Sequence, residues 1–391
     1  MKIADYRVGI TAFVIVCCLG IASTLYIKSV VNRGNDMTIS LVQILENRLD
    51  ALSKDVSNVS ANVIFDQEVP NDAFDLLKSS NGQELLAKRA EITKFIFGSA
   101  DLPTAAQFES HPLPIHAFLP FRAERLNFLN GEAGTSRVLF VRSERETPAC
   151  LFLYLSGHGE GVDQPKPDAF VLMRSALLLG CDLLHLSMPM SGDNAADRPP
   201  QKFGSKLPHN WLGTFETDNF SSLRWFVEPA VLSLNWATSR TGYDQIIAAG
   251  RSGGGWTAGL LGALDPRIDA TLVFMGSMPT KAKGVRTDDV GDWEQHGSRL
   301  YDIVDYGDLY LMSALGEGRR ATYFWNKFDT CCFKGARAKV FFPYLMDLAA
   351  EWGVPGLNFY VDDTPDRGHN IPPAGIGELA TLISLGKMAG R

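Results

Sequence analysis

The 391-residue sequence lacks the local signatures of several large function classes. It has no C-x-x-C or H-E-x-x-H spacing, so no short motif specifies a structural zinc or a metallopeptidase centre. It has no run of lysine and arginine; 37 basic against 44 acidic residues leave a formal net charge of -7, which excludes a basic face for nucleic acid. The P-loop lysine is absent, as is G-x-G-x-x-G before a helix, which removes the usual nucleotide cradles. The six cysteines do not read as a disulfide framework. Cys17 and Cys18 lie in an apolar run, Cys150 and Cys181 on separate expected strands, and the adjacent Cys331 and Cys332 would bridge only with strain, so they are expected as free thiols. No internal repeat is present.

What is there is a hydrophobic content of 46%, enough for one large core with an N-terminal appendage. Val8 to Ile27 carries no charge and is long enough at helical rise to cross a bilayer, so it is expected to be a membrane span. It is long for a cleaved signal peptide, and no small-x-small site follows it. Lys2 and Arg7 on one side face Lys28 and Arg33 on the other, so charge barely decides orientation; the expectation is an uncleaved signal anchor with the remainder outside the cytoplasm. Beyond it, Val42, Leu45, Leu49, Leu52, Val56, Val59 and Val63 recur at steps of three and four. A helix over Val42 to Val63 would either zip two chains into a homodimer or lie on its own chain. Three regions result: a tail and anchor over 1–34, a helical juxtamembrane region with a possible coiled coil over 35–102, and a catalytic domain over 103–391.

In the last region strand and helix patterns alternate. The strands are expected over 115–129, 136–142, 150–156, 182–188, 245–249, 270–274, 322–328 and 357–361, with helices over 170–179, 221–238, 256–264, 336–352 and 376–388. An earlier helical pattern over 81–98 serves packing. This is the pattern of an α/β fold with a mostly parallel sheet flanked by helices.

The stretch over 243–266 organises the rest. Gly250-Arg251-Ser252-Gly253-Gly254 reads as G-x-S-x-G between an apolar strand and a helix of small residues, the context of a nucleophile elbow. A serine raised on such a turn needs neighbours without side chains, because the adjoining strand and helix come close. Its base is expected to be His369, which follows the last strand. The orienting acid is expected to be Asp329, which follows the strand over 322–328; Asp362, Asp363 and Asp366 are rivals that share the His369 loop. Oxyanion donors are expected at the backbone N–H of Gly253 and of either His158 or Gly159, in the glycine-rich loop after the strand over 150–156. His111, His116, His209 and His296 are given surface or structural roles.

GRSGGGW, ALDPRI, FDTCCF and the late GHN give the chain from about residue 103 a resemblance to the α/β-hydrolase superfamily, particularly bacterial acetyl xylan esterase-like and peptidase-like members. The order Ser252, Asp329, His369 is theirs. The resemblance implies an α/β-hydrolase fold and acyl transfer to water through an acyl-serine intermediate, without metal or organic cofactor. The loop His158-Gly159-Glu160-Gly161 departs from the H-G-G-G loop of lipases. Insertions are expected over 189–215 and 276–320; Trp211 in the first and Asp292, Trp293 and Glu294 in the second would either face substrate or pin the insertion. The reading is a membrane-anchored serine hydrolase acting on an ester of a carbohydrate or other small or envelope compound. A serine peptidase or an inactive binding scaffold of the same fold are the alternatives.

Overall fold

The computed structural model describes residues 76–389, apart from 105–107, 113–117, 119, 130–132, 163, 195–208 and 284–290. The chain separates into two compact units, Met1–Glu68 and Val69–Arg391. The expected span over Val8 to Ile27 and the heptad helix over Val42 to Val63 lie outside the described residues; among those described, no helix is long and apolar enough to cross a membrane.

Helix α1 is Gly82–Phe97, capped by the Asn81 side chain on the Glu84 N–H and closed by Gly98 in the left-handed region. Its Leu85, Ile92 and Ile96 are buried. The Arg89 guanidinium donates to the carbonyls of Ala263 at 2.7 Å and Met312 at 2.8 Å, both at helix C-terminal ends where carbonyls run out of intrahelical donors. This helix therefore packs within the unit Val69–Arg391.

The strands are β1 Phe108–Pro112, β2 Arg122–Leu129, β3 Thr135–Arg142, β4 Cys150–Leu155, β5 Cys181–Leu186, β6 Ile246–Arg251, β7 Ala270–Phe274, β8 Arg320–Asn326 and β9 Leu357–Asp362. They form one sheet in the order β1-β2-β3-β5-β4-β6-β7-β8-β9. β1 to β3 pair antiparallel, β3 pairs antiparallel with β5, and β4 to β9 are parallel. Every residue of β4, β5, β6 and β7 is buried, as their mostly apolar composition suits in strands covered on both faces. The covering helices are α2 Pro167–Leu179, α3 Arg224–Thr238, α4 Gly253–Leu264, α5 Tyr306–Ala314, α6 Ala338–Glu351 and α7 Pro373–Ala389.

Three sequence expectations are corrected. Cys150 and Cys181 are disulfide-bonded: they are register partners at the starts of β4 and β5, a pairing that the strand assignments alone did not reveal. Cys331 and Cys332 are also joined, at a turn where both their N–H groups donate to one oxygen of Asp329. The segment over 276–320 is not all insertion: α5 is buried along its whole length and packs on α4 as the crossover between β7 and β8.

After β4 the chain crosses to β5 on one side, then through α3 to β6 on the other. A parallel sheet opens a crevice at the carboxyl ends of its strands where the order reverses. Ser252 directly follows β6, at that switch point.

Candidate active site

Ser252 has φ 57° and ψ -131°, a left-handed backbone that a residue with a Cβ adopts only when its surroundings enforce it. The enforcement is visible in its neighbours. A Cβ on Gly250 would overlap the Gly254 carbonyl, and one on Gly254 would overlap the carbonyls of Leu155 and Ser156 in the next strand. The Ser252 N–H donates to the Phe274 carbonyl at 2.9 Å, tying the elbow to β7. The other non-glycine residues with positive φ among those described are Met190 and Met275, which follow β5 and β7, so strained backbone gathers at one edge of the sheet.

Asp329 follows β8 and His369 follows β9, and their side chains meet: His369 Nδ1 lies 2.7 Å from Asp329 Oδ2. Asp329 is buried, and its other oxygen accepts from the N–H of Cys331 at 2.7 Å and of Cys332 at 3.2 Å. A carboxylate so held accepts from Nδ1–H, which leaves the Nε2 lone pair available. His369 Nε2 is buried and has no hydrogen-bond partner, so contact with the Ser252 hydroxyl is not closed in this state. Phe333 stacks parallel to the imidazole at 6.2 Å. The rival Asp362 is engaged elsewhere in that loop, where it accepts from the Thr364 N–H and faces Arg367.

The histidine loop is fixed from both sides. The Asn326 amide donates to the carbonyls of Gly368 and Asn370 at 2.7 and 2.8 Å. Arg251, the variable residue of the elbow motif, donates to the His369 carbonyl at 3.1 Å, pairs with buried Glu160, and lies 3.7 Å from Asp168, which itself accepts from the Ile371 N–H. One buried guanidinium thus joins the elbow, the β4 loop and the histidine loop. Sequence reasoning passed over Arg251, Glu160 and Asn326, because their partners are distant in the chain.

The β4 loop packs against the elbow. A Cβ on Gly157 would lie 3.0 Å from the Ser252 Cβ, and one on Gly253 would lie 2.8 Å from the His158 Cε1. The Gly159 N–H donates to the Ser191 hydroxyl at 2.9 Å and is therefore occupied. Below the loop, Ser156 Oγ lies 2.6 Å from Nε2 of His185, whose complete burial lowers its pKa to about 3 and keeps it neutral.

The wall residues divide. Trp211 stands 45% exposed on the short helix His209–Phe215, while Trp293 packs against the core and against Gly213. Glu294 is buried and faces His209, with Glu294 Oε2 at 3.6 Å from His209 Nε2. Asp292 Oδ2 lies 3.2 Å from His158 Nε2. Burial works against the charge on His209, and the Glu294 carboxylate outweighs it, leaving the His209 pKa raised. Burial likewise opposes the charge on Glu294, and His209 outweighs it, leaving the Glu294 pKa lowered. Burial, and then His209, lower that of His158. His209 is thus no surface histidine, and the two expected insertions meet beside the elbow.

No family model matches the sequence, and no curated protein matches it. Solved structures do. An acetyl xylan esterase from Paenibacillus sp. R4 superposes with a TM-score of 0.50 at 14% identity, over 81% of this chain and 99% of that one. Acetyl xylan esterase 1 from Thermoanaerobacterium sp. gives 0.51 at 13% over 81% and 99%. A glucuronoyl esterase from Teredinibacter turnerae gives 0.50 at 13% over 78% and 86%. The chain has the α/β-hydrolase fold that these serine esterases share.

Proposed function

We propose that the protein is a serine hydrolase of carboxylic esters, with Ser252 as nucleophile, His369 as base and acid, and Asp329 as the group that orients His369. The observation that carries this is the 2.7 Å hydrogen bond between His369 and Asp329, built from the loops after β8 and β9 at the sheet edge where Ser252 stands strained. In this reading Ser252 Oγ attacks the acyl carbon and His369 Nε2 takes its proton, then returns it to the departing alcohol. A water activated by the same nitrogen releases the acid. Asp329 holds Nδ1–H toward itself and stabilises the imidazolium. The developing oxyanion is met by the N–H of Gly253 and of His158, since the Gly159 N–H is held by Ser191.

Substrate class follows from more than the fold. The superposed enzymes are named acetyl xylan esterases and a glucuronoyl esterase, and the partly exposed indole of Trp211 beside the elbow suits stacking on a sugar face. We assign an ester on a carbohydrate or a related envelope compound. Val8 to Ile27 would anchor the enzyme as a single-pass membrane protein with the catalytic unit outside the cytoplasm, and the helix over Val42 to Val63 would pair two copies.

The test is hydrolysis of p-nitrophenyl esters of increasing chain length by the full-length protein. Short esters are turned over, Ser252→Ala and His369→Ala abolish the activity, and Asp329→Asn lowers kcat by about 10³–10⁴-fold because the imidazole loses its orientation. Full activity in Ser252→Ala overturns the assignment.

A further inference from the structure

Three loops bring a second set of chemically matched side chains together beside the elbow. His158 comes from the loop after β4, His209 from the short helix His209–Phe215, and Glu294 from the single-turn helix Trp293–His296. One ligating atom from each lies within 4.8 Å of the others. Asp292, at the N-terminal edge of that last turn, adds a carboxylate 3.2 Å from His158 Nε2.

The hydrogen bonding of this cluster is incomplete in a specific way. His209 Nδ1 lies 2.8 Å from the Pro189 carbonyl, which can only accept, so Nδ1 carries the hydrogen. A neutral His209 then presents the Nε2 lone pair to Glu294 Oε2, 3.6 Å away: two acceptors face each other in a site where the side chains are 8% and 1% exposed. Neither Nε2 of His158 or His209 nor either oxygen of Glu294 has a hydrogen-bond partner. A buried carboxylate left in this condition costs several kcal/mol unless a positive species lies between the acceptors. That species is either a proton on His209 or a metal ion.

Two features favour the metal. An imidazole whose second nitrogen donates to a backbone carbonyl is the standard orientation of a metal-bound histidine, with tautomer and ring plane fixed in advance. In addition, a proton on His209 satisfies one oxygen of Glu294 and leaves the other without a partner, whereas one ion is met by all three groups that converge. Bonds of about 2.0–2.2 Å to an ion draw its ligands to within roughly 3.5 Å of one another, so loading closes the cluster by about 1 Å. Two imidazoles and carboxylates suit a borderline first-row cation, zinc above all, better than calcium or magnesium. His158 and Asp292 are 34% and 31% exposed, which leaves a path for entry.

We propose that His158, His209 and Glu294 form a divalent metal site of the zinc type, with Asp292 beside His158 as an outer carboxylate. The ion would staple the β4 loop to both wall segments; because the His158 ring rests on Gly253, it would hold the oxyanion loop in place without touching the reacting bond. His158, His209 and Glu294 are not spaced as a metal motif in the sequence, since each sits on a different segment.

Binding is read without substrate, so the result is independent of the ester-hydrolase assignment. Full-length protein freed of metal with EDTA is titrated with zinc by calorimetry, and with cobalt while its visible absorption is followed. One ion per chain is expected, with the intense visible bands of four-coordinate cobalt. Glu294→Gln, which removes a direct ligand, should weaken zinc by more than the 10–100-fold typical of an outer-shell partner. Asp292→Asn, at a partly exposed position that tolerates change, should weaken it about 10-fold. Circular dichroism checks that each protein is folded. If the folded wild type takes up no stoichiometric ion, or if Glu294→Gln binds as tightly as wild type, the cluster is bridged by a proton and the metal site is refuted.

Discussion

Replacing Arg251 with methionine tests how the elbow is tied to the rest of the site. The guanidinium side chain is 8% exposed and pairs with Glu160, whose side chain is fully buried. Removing one partner of a buried pair leaves an uncompensated charge and costs about 3–5 kcal/mol, whereas removing both with neutral groups of similar volume is often close to neutral. Arg251→Met alone should therefore lower the melting temperature by about 6–10 °C, at roughly 2 °C per kcal/mol for a large domain. Adding Glu160→Gln should restore most of that loss. Activity should not return with it, because the donation from Arg251 to the His369 carbonyl is missing in both variants. In the double variant kcat falls while KM for a short ester stays near wild type, since the histidine loop is displaced and the wall is not. Differential scanning fluorimetry and p-nitrophenyl acetate kinetics on the same preparations read both effects. A single variant that melts within 2 °C of wild type, at roughly 2 °C per kcal/mol, or a double variant with wild-type kcat, would refute the reasoning.

Gly254→Ala places a methyl group on the carbonyls of Leu155 and Ser156, main-chain atoms at the end of central strand β4 and just after it, so the strand end itself must shift. The expected cost is about 3 kcal/mol or more, seen as lower yield of folded protein and a lower melting temperature. His185 is neutral and buried with its pKa lowered to about 3, against 6.5 for the free side chain. Between these values the unfolded chain binds the extra proton, so the contribution of His185 is fully present above pH 6.5 and is lost as pH falls toward 3, at up to about 1.4 kcal/mol per pH unit. His185→Gln should flatten the acid limb of a plot of melting temperature against pH; an unchanged limb would show that the imidazole is not the titrating group.

How much of this was legible beforehand depends on the range of the interaction. The glycines around Ser252 announce a close approach, because only backbone contact explains three in a row after a buried strand. The order of serine, aspartate and histidine along alternating elements placed Asp329 and His369 on the loops where the structure finds them bonded. Most strand ends moved by a residue or two, as at β8, which runs Arg320–Asn326 where 322–328 was expected, but the strand expected over 115–129 is Arg122–Leu129, and the edge strand β1, Phe108–Pro112, was not expected. What the sequence withheld was pairing across loops. Cys150 meets Cys181 through register, which composition does not encode, and Arg251 meets Glu160 through a crossover of 91 residues. His209 looked like an ordinary histidine because its partners, His158 and Glu294, are brought to it by two other loops. Helix α5 was hidden inside an expected insertion, its nine residues all buried although the segment around it is rich in charge.

The most direct test of the central claim is covalent labelling of the folded full-length protein with a fluorophosphonate, followed by peptide mass spectrometry. The account predicts one phosphonylated residue, Ser252, with labelling lost in Ser252→Ala and slowed in His369→Ala. A folded protein that stays unlabelled, or one labelled equally well after Ser252→Ala, would contradict it.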